Sequence, residues 1–156
     1  ISKAVKLFIS FEVPGNAAPG PIDGGIIRHA LFKDTYSSID VLQGHVQALA
    51  NMPETNGLSV NFRNEELCFC YSDLFEGNFI FTDNGDLYVV DFEHASILPA
   101  GFMTYALDQP RPACIAIKKD FALPYENLEA MRVAGHNFMI RWRKAGEWLS
   151  LCGRIC

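Results

Sequence analysis

No stretch of this chain stays apolar for the roughly 20 residues a helix needs to cross a bilayer, which excludes a membrane-spanning helix and sets the expectation of one soluble unit without a membrane partner. Basic residues are neither numerous nor clustered. With 13 Lys and Arg against 18 Asp and Glu, a net charge of −5 argues against nucleic acid or an anionic membrane surface as the main partner. Five cysteines, an odd number scattered at 68, 70, 114, 152 and 156, form no disulfide framework, and none has the Cys/His spacing of a zinc site. A reducing, cytoplasmic compartment is the expectation. A charged leader ahead of an apolar run is also missing, and a chain that opens on Ile1 reads as the later part of something longer. Repeats, low-complexity tracts and domain boundaries are absent too. At 49% hydrophobic content, 156 residues suffice for a sizeable core, so residues 1–156 are expected to fold as a single unit.

What is present concentrates between residues 70 and 93, CYSDLFEGNFIFTDNGDLYVVDFE. Two apolar, strand-like segments, 79–82 and 87–90, flank Asp83-Asn84-Gly85-Asp86, and Asn-Gly is a strong hairpin signal. A two-residue turn centred on Asn84 and Gly85 pairs Asn78 with Asp91, within one residue of register. Two oxygen ligands would then be neighbours at the open end. A hard cation such as Mg²⁺ takes one or two protein oxygens and completes its shell with water and phosphate. Asp73, five residues before Asn78, would stand on the loop entering the first strand, placed to orient or deprotonate a hydroxyl. A base aspartate, an asparagine five residues on and an aspartate opening an Asp-Phe-x triplet is the layout of kinase-type phosphoryl transfer. An Asp or Asn in a loop more commonly makes a turn or cap; the conjunction with a preceding apolar strand at 67–70 is what favours a site.

Residues 71–78, Tyr-Ser-Asp-Leu-Phe-Glu-Gly-Asn, and 91–93, Asp-Phe-Glu, resemble the catalytic loop and metal motif of the aminoglycoside phosphotransferase group of the protein-kinase-like superfamily, most of all its fungal members. The resemblance implies Asp73 as catalytic base, Asn78 and Asp91 as magnesium and nucleotide-phosphate ligands, ATP and Mg²⁺ as cofactors, and the segment from Glu93 through Pro99 and Phe102 as the start of a substrate-side region. Tyr71 stands where that loop normally carries a histidine that braces it. In this family the glycine-rich strand pair that covers ATP, the phosphate-gripping lysine and its glutamate partner would lie upstream of Ile1. The expectation is of a kinase-like large (C-terminal) lobe, its nucleotide lobe absent, with a partly apolar surface that favours self-association.

The rest of the chain supplies a frame. Residues 1–11 favour a helix, and 14–25, rich in Pro and Gly, a connector. Gly20, Gly24 and Gly25 match neither phosphate-binding glycine pattern. Residues 26–32 look extended. Ser37 or Ser38 caps a helix with Ile39, Leu42, Val46, Leu49 and Ala50 on its apolar face, ending near Asn51. His45 on that helix has no partner of metal-site spacing. Cys68 and Cys70 share one face of the strand, as buried thiols. Residues 99–107 suggest a short helix and 108–112 a turn. Ile115-Ala116-Ile117-Lys118 imitates a kinase strand lysine, but stands after the catalytic loop rather than before it. A helix over 124–144 with Leu128, Met131, Phe138 and Trp142 on one stripe closes the fold, with Gly146 breaking it before a last turn at 148–152.

The fold expected is therefore α+β, mainly helical, with one small hairpin bearing the metal site. The function expected is ATP- and magnesium-dependent transfer of phosphate to a small-molecule hydroxyl. The alternative is a catalytically inactive kinase-like module that binds a ligand or protein. A metal hydrolase built on Asp73, Asp91 and Glu93 is a weaker reading, because it explains neither Asn78 nor the hairpin.

Overall fold

A computed structural model describes residues 1–22, 35–52 and 57–152, with side chains as far as residue 140 except that of His94. The chain is α+β. Helix α1 (Ser2–Ile9) precedes a two-residue strand β1 (Gly20–Pro21), and α2 (Ile39–Ala50) is followed by β2 (Leu67–Tyr71). Strands β3 (Phe79–Phe81) and β4 (Leu87–Val89) form the hairpin, β5 (Ala95–Pro99) follows, and α3 (Gly101–Leu107), α4 (Pro112–Ile117) and α5 (Leu128–Cys152) complete the order.

Helix α1 buries Val5 and Phe8 against β2, where the Phe8 ring lies 5.5 Å from Phe69 and 5.7 Å from Tyr71. Helix α2 forms because Ser38 caps it, accepting from the Val41 N–H at 3.3 Å, and because Leu42, Val46, Leu49 and Ala50 recur on one buried face. Its polar face also works. Gln43 accepts from the Phe62 N–H, and Gln47 accepts from the Val60 N–H while donating to the Leu58 carbonyl, so the polar loop ahead of β2 is fastened to the helix. Phe62, Phe102, Met103 and Met131 fill the core between α2, α3 and α5.

Four expectations need correcting. First, the hairpin is accompanied by a three-stranded antiparallel sheet in the order β1, β5, β2, with Tyr71 opposite Ala95 and Leu67 opposite Pro99. Strand β5 escaped because it is short and buried on both faces, so it lacks alternation. Second, the hairpin loop has three residues rather than two, a shift within the one residue of register expected: the Thr82 carbonyl accepts from the Gly85 N–H at 2.9 Å, and Gly85 has a φ of 85° that favours glycine. Third, residues 112–117, where the sequence suggests no element beyond a turn ending at 112, form a helix; Lys118 follows it and pairs with Asp108 at 3.4 Å. Fourth, α5 starts at Leu128 and continues through Gly146. Its buried stripe includes Leu128 and Met131, with Phe138 half-buried; the Trp142 side chain lies outside the described residues, as do the extended segment expected at 26–32, Gly24 and Gly25. Cys68 and Cys70 are buried on one face, as expected.

Candidate active site

Strand β2 ends on Tyr71 and hands the chain to a loop that carries Asp73. One 3-10 turn, Glu76–Asn78, then delivers Asn78 to the start of β3, buried at 8% exposure. Here the three-residue hairpin loop has its consequence. The ladder pairs Phe79 with Val89, and the Val90 N–H donates to the Asn78 carbonyl at 3.0 Å, so Asn78 faces Val90 and Asp91 falls one residue beyond the expected pair. Asp91 is exposed, and its backbone is left-handed, φ 62° and ψ 61°, the one positive φ outside glycine among the described residues.

Asp73 and Asn78 are brought into direct contact. The Asn78 amide nitrogen donates to the Asp73 backbone carbonyl at 3.2 Å and to Asp73 Oδ2 at 3.1 Å. Arg111, at the start of α4, donates from Nη1 to Asp73 Oδ1 at 2.5 Å. Pro112 at the first helical position lets α4 begin there. Arg111 escaped the sequence reading because it lies 38 residues from Asp73 in an unremarkable Pro-Arg-Pro turn, where no local spacing marks it.

Tyr71 sits under this cluster, fully buried, and its hydroxyl donates to the Val90 carbonyl at 2.6 Å. Burial pushes its phenol up to about 12, a hydrogen bond with Asn78 opposes the rise, and the Asp73 and Asp91 carboxylates add to it. One hydroxyl thus feels both acids and touches the asparagine. Tyr71 ties the loop that carries Asp73 to the exit of the hairpin.

The chain matches no protein-family model, no curated protein and no solved structure. The site has to be read from its own chemistry. With Asn78 Nδ2 committed to Asp73, the amide Oδ1 stays available as an acceptor, and Asp91 offers an exposed carboxylate; among the described residues no hydrogen bond joins Asp91 to Asn78 or Asp73. Those are ligands of the kind a hard divalent ion takes, two from protein and the remainder from water or phosphate. Among the described residues no group of three or more His, Cys, Asp or Glu is placed to hold a metal ion. Beside Asp91, Phe92 and Glu93 join Phe8, Phe11, Ile22 and Phe69 around a largely apolar hollow of about 660 Å³.

Proposed function

We propose that this chain is the large lobe of a phosphotransferase of the aminoglycoside phosphotransferase type, which moves the terminal phosphoryl group of ATP to the hydroxyl of a small molecule. The observation that carries the reading is the Asp73 carboxylate held between Asn78 and Arg111 at the mouth of a hairpin that ends on Asp91. An ionised carboxylate has about four acceptor positions. Asn78 and Arg111 use one on each oxygen, so Asp73 can still accept the proton of an acceptor hydroxyl without releasing either partner. That hydroxyl oxygen forms the new bond to phosphorus as the bond to the nucleoside diphosphate breaks, and the proton goes to Asp73.

Asn78 Oδ1 and Asp91 would hold magnesium, which when bound neutralises charge on the phosphates. Arg111 fixes the rotamer of the base and adds positive potential close to where the phosphoryl group would pass. Self-association belongs to the same proposal, since the hollow beside Phe92 exposes Phe11 and Ile22.

A second reading, binding without transfer, takes support from the Arg111–Asp73 ion pair, which already occupies the base. Kinetics separates the two. In an enzyme that carries this lobe together with its nucleotide-covering part, Asp91→Ala should abolish magnesium-dependent turnover. Asp73→Asn should lower kcat by about 10²–10⁴-fold with little change in nucleotide affinity. Full turnover in Asp73→Asn would remove Asp73 from the role of base.

A further inference from the structure

Strand β2 carries two thiols whose arrangement serves no purpose in phosphoryl transfer. Cys68 and Cys70, two residues apart and therefore on the same strand face, place their Sγ atoms 3.7 Å from each other. Cys70 is fully buried and directs its thiol at the Leu98 carbonyl, 3.8 Å away on β5; Cys68 is 5% exposed and lines a hollow of about 730 Å³ together with Phe11, Glu65, Leu67 and Ala100. Directly across the ladder from Cys70 stands Ser96, whose hydroxyl is buried and has no hydrogen-bond partner. Two thiols in van der Waals contact, one of them beside a hollow, are placed to react with each other.

We propose that Cys68 and Cys70 are a redox pair that closes to a disulfide within β2 under a peroxide and reopens under a thiol. The Cys68 thiolate attacks a peroxide oxygen: the S–O bond forms, the O–O bond breaks, and the departing hydroxide is protonated to water. The Cys70 sulfur then attacks the Cys68 sulfenic acid: the S–S bond forms, the S–O bond breaks, and hydroxide leaves with the Cys70 proton as a second water. Two electrons pass from the sulfurs to the peroxide. The order of attack follows from access: Cys68 borders the hollow, whereas Cys70 is fully buried behind it and can only resolve the sulfenic acid.

Closure has a mechanical result. Two residues of an extended strand span about 6.8 Å between Cα atoms, the upper end of the roughly 4.4–6.8 Å that a disulfide bridges. The bond therefore draws β2 into a bend, which works against the pairing of Cys68 with Leu98 and of Cys70 with Ser96. Tyr71, the next residue, is the brace of the candidate active site. A bond under such strain is of the labile, readily reduced kind. Loss of turnover on oxidation rests on the phosphotransferase reading; the disulfide itself does not.

The test uses the unaltered chain, oxidised by hydrogen peroxide under native conditions, then denatured, alkylated and mapped by mass spectrometry. The expected product is a peptide in which Cys68 and Cys70 are both unalkylated and two hydrogens lighter, restored by dithiothreitol. Amide exchange in β2 and β5 should quicken at least tenfold in that form. In Cys70→Ser the reaction should stop at a Cys68 sulfenic acid that dimedone captures. Alkylation of both thiols after oxidation, or a bridge from either to another cysteine, would overturn the proposal whatever the variant does. These readouts are independent of any phosphotransferase assay.

Discussion

Asp91 presents its carboxylate from a backbone that L-residues avoid, and the φ of 62° separates two roles that a single substitution would confuse. A left-handed backbone costs a residue with a Cβ about 1–2 kcal/mol, less for aspartate, whose side chain tolerates it. Asp91→Gly and Asp91→Ala both remove the carboxylate, but only the glycine relieves the backbone. Thermal unfolding without magnesium should therefore find the glycine variant more stable than the alanine variant by about 1 kcal/mol. Equal stability would mean that the surrounding chain does not hold this conformation. A left-handed backbone at an exposed carboxylate is compatible with the role proposed for Asp91.

At the scale of elements, one acid joins three of them. Glu65, just ahead of β2, accepts the Gly101 N–H at the start of α3 at 2.6 Å and the Asn127 amide ahead of α5 at 2.7 Å. Asn127, 4% exposed, also holds both backbone groups of Asn61. Burial pushes the Glu65 carboxyl up, while those two donors pull it back. The approach needs glycine at 101, because a Cβ there would stand 2.8 Å from Glu65 Oε2. Glu65→Ala leaves two donors without their acceptor and should cost about 2–4 kcal/mol, read as a lower urea midpoint with an unchanged slope. None of this was legible in the sequence, where 54–66 reads as an ordinary polar loop. Helices α1 and α2, strand β2 and the existence of the hairpin were legible, since their signals are local: periodicity, the Ser38 cap, the Asn-Gly pair. The choice between a two- and a three-residue loop lies with the Thr82 carbonyl, and it shifted Asp91 by one place. Strand β5 and Arg111 depend on partners far along the chain, Leu67–Tyr71 and Asp73, and carry no local mark. In the candidate site, Asp73 with Asn78 could be read from spacing, whereas the arginine that grips Asp73 could not.

Under the phosphotransferase reading, nucleotide affinity depends on free cations, and two candidates are already engaged. Arg111 is engaged with Asp73, and Lys118 is paired with Asp108. Exposed ionic contacts in water are worth roughly 1 kcal/mol per close pair, against several kcal/mol of lost translational and rotational freedom. These 156 residues by themselves should bind magnesium-ATP with a Kd on the order of a millimolar or weaker. Calorimetric titration with a non-hydrolysable analogue checks it, and micromolar affinity would place the phosphate grip within them. The buried Tyr71 bears on the molecule's tolerance of acid and alkali. Its phenol holds its proton more tightly in the folded chain, up to about 12, than the roughly 10 of an unfolded tyrosine. The stability it contributes is complete below about pH 10 and drains away as pH climbs through about 12. Tyr71→Phe should flatten the fall in unfolding midpoint across that window, and a slope identical to the parent's would assign the loss to other tyrosines. A histidine in its place would change charge close to pH 6.5. With tyrosine as the fastening, acid leaves the Asp73 loop clasped to the hairpin exit, and only strong base can undo it.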